Sequence, residues 1–276
     1  MNTESSPPRW HLLTFANGRY RAARDRLIDS ARTFGASSVH AHDPQTIRQY
    51  DWARSNRHVL RQKHGAGYWL WKPYLIIEAL RQIPAGDFLL YADAGTLLVS
   101  SPLALVSSCQ SQDGILLFQV HGYLNDAYVK RDCFILMGCD TAPYWQAEQV
   151  NGAFLFLQHN DRTIAFVAEW AAWADSLGLI TDEPNRLERP NLPGFIHHRH
   201  DQSILSLLAE KHGMKRLPDP SQWGEPHRRQ DDGKFAPYPT VFDHHRQRTL
   251  SMRERLRMWL GARRHALFGP KNRNSR

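Results

Sequence analysis

Cysteine is scarce in this chain of 276 residues: Cys109, Cys133 and Cys139 cannot all pair, and no two stand in a C-x-x-C arrangement. A disulfide framework and a structural zinc site of the usual spacing therefore find no support. Long apolar runs are also missing, and none approaches the roughly 20 residues that cross a bilayer. The opening Met1-Asn2-Thr3-Glu4 has neither the basic region nor the apolar stretch of a signal peptide. A reducing cytoplasm is the expectation. Glycine is not gathered behind the first apolar run, where Phe15-Ala16-Asn17-Gly18-Arg19 makes no phosphate loop, which counts against a nucleotidyltransferase. Internal repeats are absent too.

Positive charge is present but lopsided. The net charge is +8, yet residues 246–276 hold ten Lys or Arg against the single acid Glu254, so the body before them is nearly neutral. A nucleic-acid protein carries basic surface on its folded body as well, so no nucleic-acid partner is expected. Leu250, Leu256, Trp259 and Leu260, set among arginines, fit a basic amphipathic helix that could lie on an anionic membrane surface. A solvated tail is the competing reading. Residues 1–248 are read as one domain and 249–276 as this tail.

Apolar runs and helical periods alternate along the body. Strands are expected at 10–15, 38–42, 88–91, 97–99, 115–120 and 149–157, and helices at 20–34, 44–63, 73–83, 160–175 and 201–212. Strand alternating with helix predicts an α/β fold with a mostly parallel central sheet flanked by helices. The stretch 215–239 reads as mostly irregular.

Four segments carry chemistry. The apolar strand at 88–91 runs into Asp93-Ala94-Gly95, an acid and a glycine at a strand's carboxyl end, where open α/β sheets bind ligands. An Asp that merely ends a strand is the plain alternative. Just upstream, Arg61-Gln62-Lys63-His64-Gly65-Ala66-Gly67-Tyr68-Trp69-Leu70-Trp71-Lys72-Pro73 concentrates glycine, aromatic and basic residues before a helix, a setting that suits phosphates. His198-Arg199-His200-Asp201-Gln202-Ser203 opens another helix, where Asp201 could serve only as a cap. Asp243-His244-His245 offers a late histidine that is either a metal ligand or a surface pair.

Together these segments resemble the GT-A glycosyltransferases. They are most similar to a bacterial branch with G-Y-W-x-W-K-P, Y-x-D-A-G and H-R-H-D-Q-S elements, which stand here at 67–73, 91–95 and 198–203. A more distant likeness is to the family-8 retaining enzymes, among them glycogenin and the lipopolysaccharide galactosyltransferases. The resemblance implies a single Rossmann-like GT-A domain that moves a sugar from a nucleotide-diphosphate donor to a glycan or lipid-linked acceptor, as in cell-surface polysaccharide synthesis. It implies donor or diphosphate contacts at Lys72, Asp93, Gly95, Tyr91 and Trp71, and donor-sugar or acceptor contacts at Asn151, Gly152 and His200. Asp201, Gln202 and Glu169 are the implied catalytic residues, with Asp201 or Glu169 as the base if the reaction inverts; the Asp-Gln pair leans towards retention. The family's first metal-binding acid falls on Asp93 and its late histidine on His244, but its second acid falls on Gly95. A divalent cofactor, Mn²⁺ or Mg²⁺, is implied with that gap in its ligand set. The alternative is a non-catalytic carbohydrate- or nucleotide-binding protein on a degenerate GT-A fold.

Overall fold

The computed structural model describes residues 7–227 and 237–244. Nine strands occur among them: β1 (Trp10–Phe15), β2 (Ser38–His42), β3 (Phe88–Ala92), β4 (Thr96–Leu98), β5 (Ile115–Leu124), β6 (Glu148–Val150), β7 (Phe154–Gln158), β8 (Arg216–Pro218) and β9 (Phe242–His244). The longest helices are α1 (Arg21–Thr33), α2 (Trp71–Gln82), α3 (Asp161–Ala174) and α4 (His200–Lys211).

The main sheet runs β2-β1-β3-β7-β5-β6, with β8 also on β5, and β4 pairs with β9 in a separate ribbon. The class is α/β, and the sheet is mixed. β1 lies parallel to β2 and β3, and β8 parallel to β5, whereas the β3–β7, β5–β7 and β5–β6 pairs are antiparallel. The parallel half is the part built by strand–helix alternation. The reversal comes at β7, which is entered from a tight turn rather than from a crossover helix.

The central strands are buried on both faces, so their runs are apolar throughout rather than alternating. Side chains still alternate between two cores. Leu13, Leu89, Tyr91 and Leu155 pack with α2, α3 and α4, while Leu12, Leu90, Phe154 and Phe156 pack with Leu27 of α1 and with Phe242. Asn160 caps α3 by accepting the Thr163 amide at 2.8 Å, as its position in sequence predicts.

Two expected elements are divided. The single strand at 149–157 is β6 and β7 separated by a turn in which Asn151 Oδ1 accepts the Ala153 amide at 2.9 Å. The helix expected at 44–63 is a 3₁₀ turn, Thr46–Gln49, and two short helices, Asp51–Ser55 and Arg57–Leu60. The stretch 215–239 is not wholly irregular, since β8 joins the main sheet there. The basic tail at 249–276, and His245 with it, lie outside the described residues.

Candidate active site

A cavity of about 570 Å³ opens at the carboxyl ends of β1 and β3, where a sheet of this kind leaves a ligand crevice. Because β7 is antiparallel to β3, its first residue faces the last of β3: Phe154 pairs with Ala92. The turn at Asn151, Gly152 and Ala153 therefore sits beside Asp93, whose amide bonds the Ala153 carbonyl at 2.8 Å. The first turn of α4 closes on the same turn, with the Gly152 amide 3.4 Å from Gln202 Oε1. His244 arrives through the small ribbon, opposite Thr96 in register. Four segments far apart in sequence thus meet at one wall.

Of the residues singled out in sequence, Trp71, Lys72, Asp93, Gly95, Asn151, Gly152, His200, Asp201, Gln202 and His244 line this cavity. Two do not. Tyr91 is fully buried behind the wall, and its hydroxyl donates to Asp93 Oδ1 in a short hydrogen bond. Burial, then the charge of Asp93, push its phenol well above the ordinary value, so it stays a neutral donor that orients the carboxylate. Glu169 is on α3, away from the cavity lining, where it bonds Trp173 Nε1 at 3.3 Å and His212 Nε2 at 2.7 Å. The period of the helix directs it to the outer face, while Trp170 on the inner face holds the Asp201 carbonyl at 3.1 Å.

Lys72 is already engaged. Its ammonium lies 2.6 Å from Asp201 Oδ2 and donates to the Gly152 carbonyl at 2.8 Å, with both side chains closed to solvent. Burial raises the Asp201 carboxyl to about 6, Lys72 pulls it down, and Asp93 pushes it up. Asp201 is not a helix cap, since its carboxylate turns inward to the lysine instead. Lys63, one of the basic groups of the segment before α2, also lines the cavity, and so does Arg19, which nothing in the sequence sets apart from other basic residues.

The aromatic wall rests on an uncommon backbone. Gly65, Ala66, Gly67, Tyr68 and Trp69 have φ values of +55°, +51°, +99°, +54° and +58°, one left-handed turn. Each of its three non-glycine residues costs roughly 1–2 kcal/mol there. Trp71 ties the turn down by donating Nε1 to the Gly65 carbonyl at 3.1 Å, and its ring stacks on Phe15 with centroids 3.9 Å apart.

A second cavity of about 480 Å³ adjoins the first and shares Asn151, Arg199, Gln202 and His244 with it. Trp223 stands on it with 64% of its surface exposed, and Asp219 accepts from Asn151 Nδ2 at 2.8 Å. Neither residue was singled out in sequence. Both belong to a stretch whose place is decided by the pairing of β8 with β5 and of β9 with β4, both distant in sequence.

No protein-family model and no curated protein matches the chain. The solved structures to which it is similar are glycosyltransferases. Mouse xyloside xylosyltransferase 1 is 12% identical, with 88% of this chain and 99% of that one covered and a TM-score of 0.45. An active-site mutant of LgtC is 14% identical, over 91% and 95% of the two chains, with a TM-score of 0.48. The bifunctional glycosyltransferase WbbM is 9% identical, over 80% and 40%, with a TM-score of 0.46. At these values the likeness is one of general chain course and assigns no residue a role. Among the described residues no helix is long and apolar enough to cross a membrane.

Proposed function

We propose that this chain is a glycosyltransferase that takes a nucleotide-diphosphate sugar in the larger cavity and an acceptor hydroxyl from the adjoining one. The observation that carries this reading is the convergence of Asp93, Asn151 with Gly152, and Asp201 with Gln202 on one crevice, with Asn151 and Gln202 reaching both cavities. A transfer reaction needs two binding spaces and a junction between them, and these residues are buried or half-buried and held by hydrogen bonds, as groups that orient reacting atoms must be.

Asp93 and His244 line the larger cavity and offer one carboxylate oxygen and one imidazole nitrogen. That donor set suits Mn²⁺ or Mg²⁺ when a diphosphate supplies further oxygens, and Gly95 leaves backbone room where a second acid is missing. Asp93 and His244 would hold the ion, which when bound neutralises the charge on a departing diphosphate. Arg19 and Lys63 add positive charge at the cavity, whereas Lys72 serves to hold Asp201 and the Gly152 carbonyl in place. Asp201, carrying a raised pKa next to Gln202, is the group best suited to orient the acceptor hydroxyl or receive its proton. The donor is of hexose type, and the acceptor a glycan or a lipid-linked sugar of cell-surface polysaccharide synthesis, met in the cytoplasm at an anionic membrane face.

A second reading, a binding domain without catalysis, is favoured by Gly95 standing in place of the second acid. Thermal shift against nucleoside diphosphates and nucleotide-sugars, with and without Mn²⁺, tests both. A selective shift lost in Asp93→Ala, together with release of nucleoside diphosphate, supports transfer. A shift without any release favours the binding domain. No shift with any nucleotide sinks both.

A further inference from the structure

His64, Asp182 and His200 come from three separate segments and meet beside the larger cavity, which His64 and His200 line, and they share no member with Asp93 and His244. One ligating atom from each lies within 4.8 Å of the others. His64 Nδ1 is 3.0 Å from Asp182 Oδ2, and His200 Nε2 is 3.6 Å from Asp182 Oδ1.

The second imidazole shows what kind of group this is. His200 Nδ1 lies 3.0 Å from the Ile180 carbonyl oxygen, which can only accept, so Nδ1 carries the hydrogen. With Nδ1 so engaged, Nε2 is the nitrogen turned towards the Asp182 carboxylate, 3.6 Å from Oδ1. A backbone carbonyl on the far ring nitrogen is also the usual way a metal-binding imidazole is oriented. Backbone strain marks the same place: His200 has φ +51°, and His64 immediately precedes the left-handed turn. The rings of Tyr68 and Trp69 stand 4.9 and 5.7 Å from the His200 ring and wall the group on the protein side. His64 and Asp182 are about half exposed, which leaves an ion a way in.

We infer that His64, Asp182 and His200 bind a divalent metal of the zinc class, with a remaining position open to solvent or to a ligand in the cavity. Two imidazole nitrogens and one carboxylate oxygen are a borderline donor set that suits zinc better than magnesium. Atoms bound tetrahedrally at about 2.0–2.2 Å stand about 3.4 Å apart, and each nitrogen lies at a comparable distance, 3.0 or 3.6 Å, from one of the two Asp182 oxygens. The ion would pin the strained turn to the start of α4 and so fix His200, the residue next to Asp201. The site stands whether or not the crevice transfers a sugar.

The test is a Zn²⁺ titration of the full chain, first stripped with a chelator, against a colorimetric competitor, with bound metal counted by native mass spectrometry. One tight equivalent and a raised Tm are expected. His64→Ala and Asp182→Asn, both at half-exposed side chains, should each weaken that equivalent at least about tenfold, the scale on which even outer partners of a metal site act. His58→Ala, at an exposed histidine elsewhere, should leave it unchanged. The metal-free Tm of each variant separates loss of a ligand from loss of fold, and His64→Gln, close in size to the wild type, carries the same reading if the alanine variant is unstable. Absence of a tight equivalent, or one that survives either ligand substitution, overturns the inference.

Discussion

The ammonium of Lys72 and the carboxylate of Asp201 are 2.6 Å apart, and only 3% and 4% of these two side chains remains exposed. The pair joins the start of α2 to the first turn of α4, and through the Gly152 carbonyl it also holds the β6–β7 turn. Burying two charges is costly and is offset only while both remain, so removing one partner is far worse than removing both. Lys72→Met should lower the unfolding free energy by about 3–5 kcal/mol. The double variant Lys72→Met with Asp201→Leu should recover more than half of that loss. Urea denaturation of the three proteins measures this, and a single variant within about 1 kcal/mol of wild type would show that the pair is not buried in solution.

The same carboxyl sets a pH dependence. Its pKa is raised in the folded chain from an ordinary 3.8 to about 6, chiefly by burial. Between those values the folded protein holds a proton that the unfolded chain has released, so this group's contribution favours folding most below about pH 4 and weakens as pH rises to about 6. Activity should run the other way if Asp201 works ionised. The rate should fall nearly tenfold per pH unit below about 6, and Asp201→Asn should remove that limb along with most of the rate. A pH–rate profile whose acid limb persists in Asp201→Asn would assign the limb to another group.

Gly67 is the point of the left-handed turn that is crowded by another stretch of backbone. Its φ is +99°, and a Cβ there would stand 2.6 Å from the Leu60 Cα, a backbone atom that cannot swing aside. Gly67→Ala should therefore cost at least about 1–3 kcal/mol from strain alone, seen as a drop in Tm. Gly35→Ala is the control: its φ is +82° but nothing lies within 4 Å of the added carbon, so its loss should be the smaller. Equal losses at the two positions would mean that the turn has room to relax.

Much of this architecture is legible in the residues, and the gaps have physical causes. The strand Phe88–Ala92 reads directly, because a run of five buried positions between turns can hardly be anything else. Asp93 and Asp201 read as site residues because each ends or opens an element at a point where backbone groups are free to meet a ligand, whereas Asn151, expected within one long strand, is marked only by the resemblance. Glu169 misled, since its place near Trp170 in sequence says nothing about which side of the helix it takes; one residue's rotation carries it away from the crevice. The handedness of the turn at 65–69 is invisible beforehand, because Ala66, Tyr68 and Trp69 have no intrinsic preference for positive φ. Lys72 reads in sequence as a diphosphate contact, whereas in the fold its ammonium is held by the buried carboxylate of Asp201 and the Gly152 carbonyl, partners that sequence proximity does not reveal.

Trp223 is the sharpest test of the two-cavity arrangement. Its indole is 64% exposed although Nε1 donates to the His244 carbonyl at 2.9 Å, so one edge is anchored while a broad apolar surface is left facing the smaller cavity. A ring fixed in this way offers a flat surface against which the apolar side of a sugar can rest, at little cost in side-chain freedom. Because so little of it is buried, Trp223→Ala should change the Tm by no more than a degree or two. If the acceptor occupies that cavity, KM for the acceptor should rise about tenfold or more, consistent with the loss of 1–2 kcal/mol of contact. Nucleotide affinity, read by thermal shift, should stay the same. Trp223→Phe, which keeps the ring and loses the anchoring hydrogen bond, should fall between the two. A variant that instead weakens the nucleotide and leaves the acceptor KM alone would reverse the assignment of the cavities, placing the donor beside Trp223 and the acceptor beside Asp93.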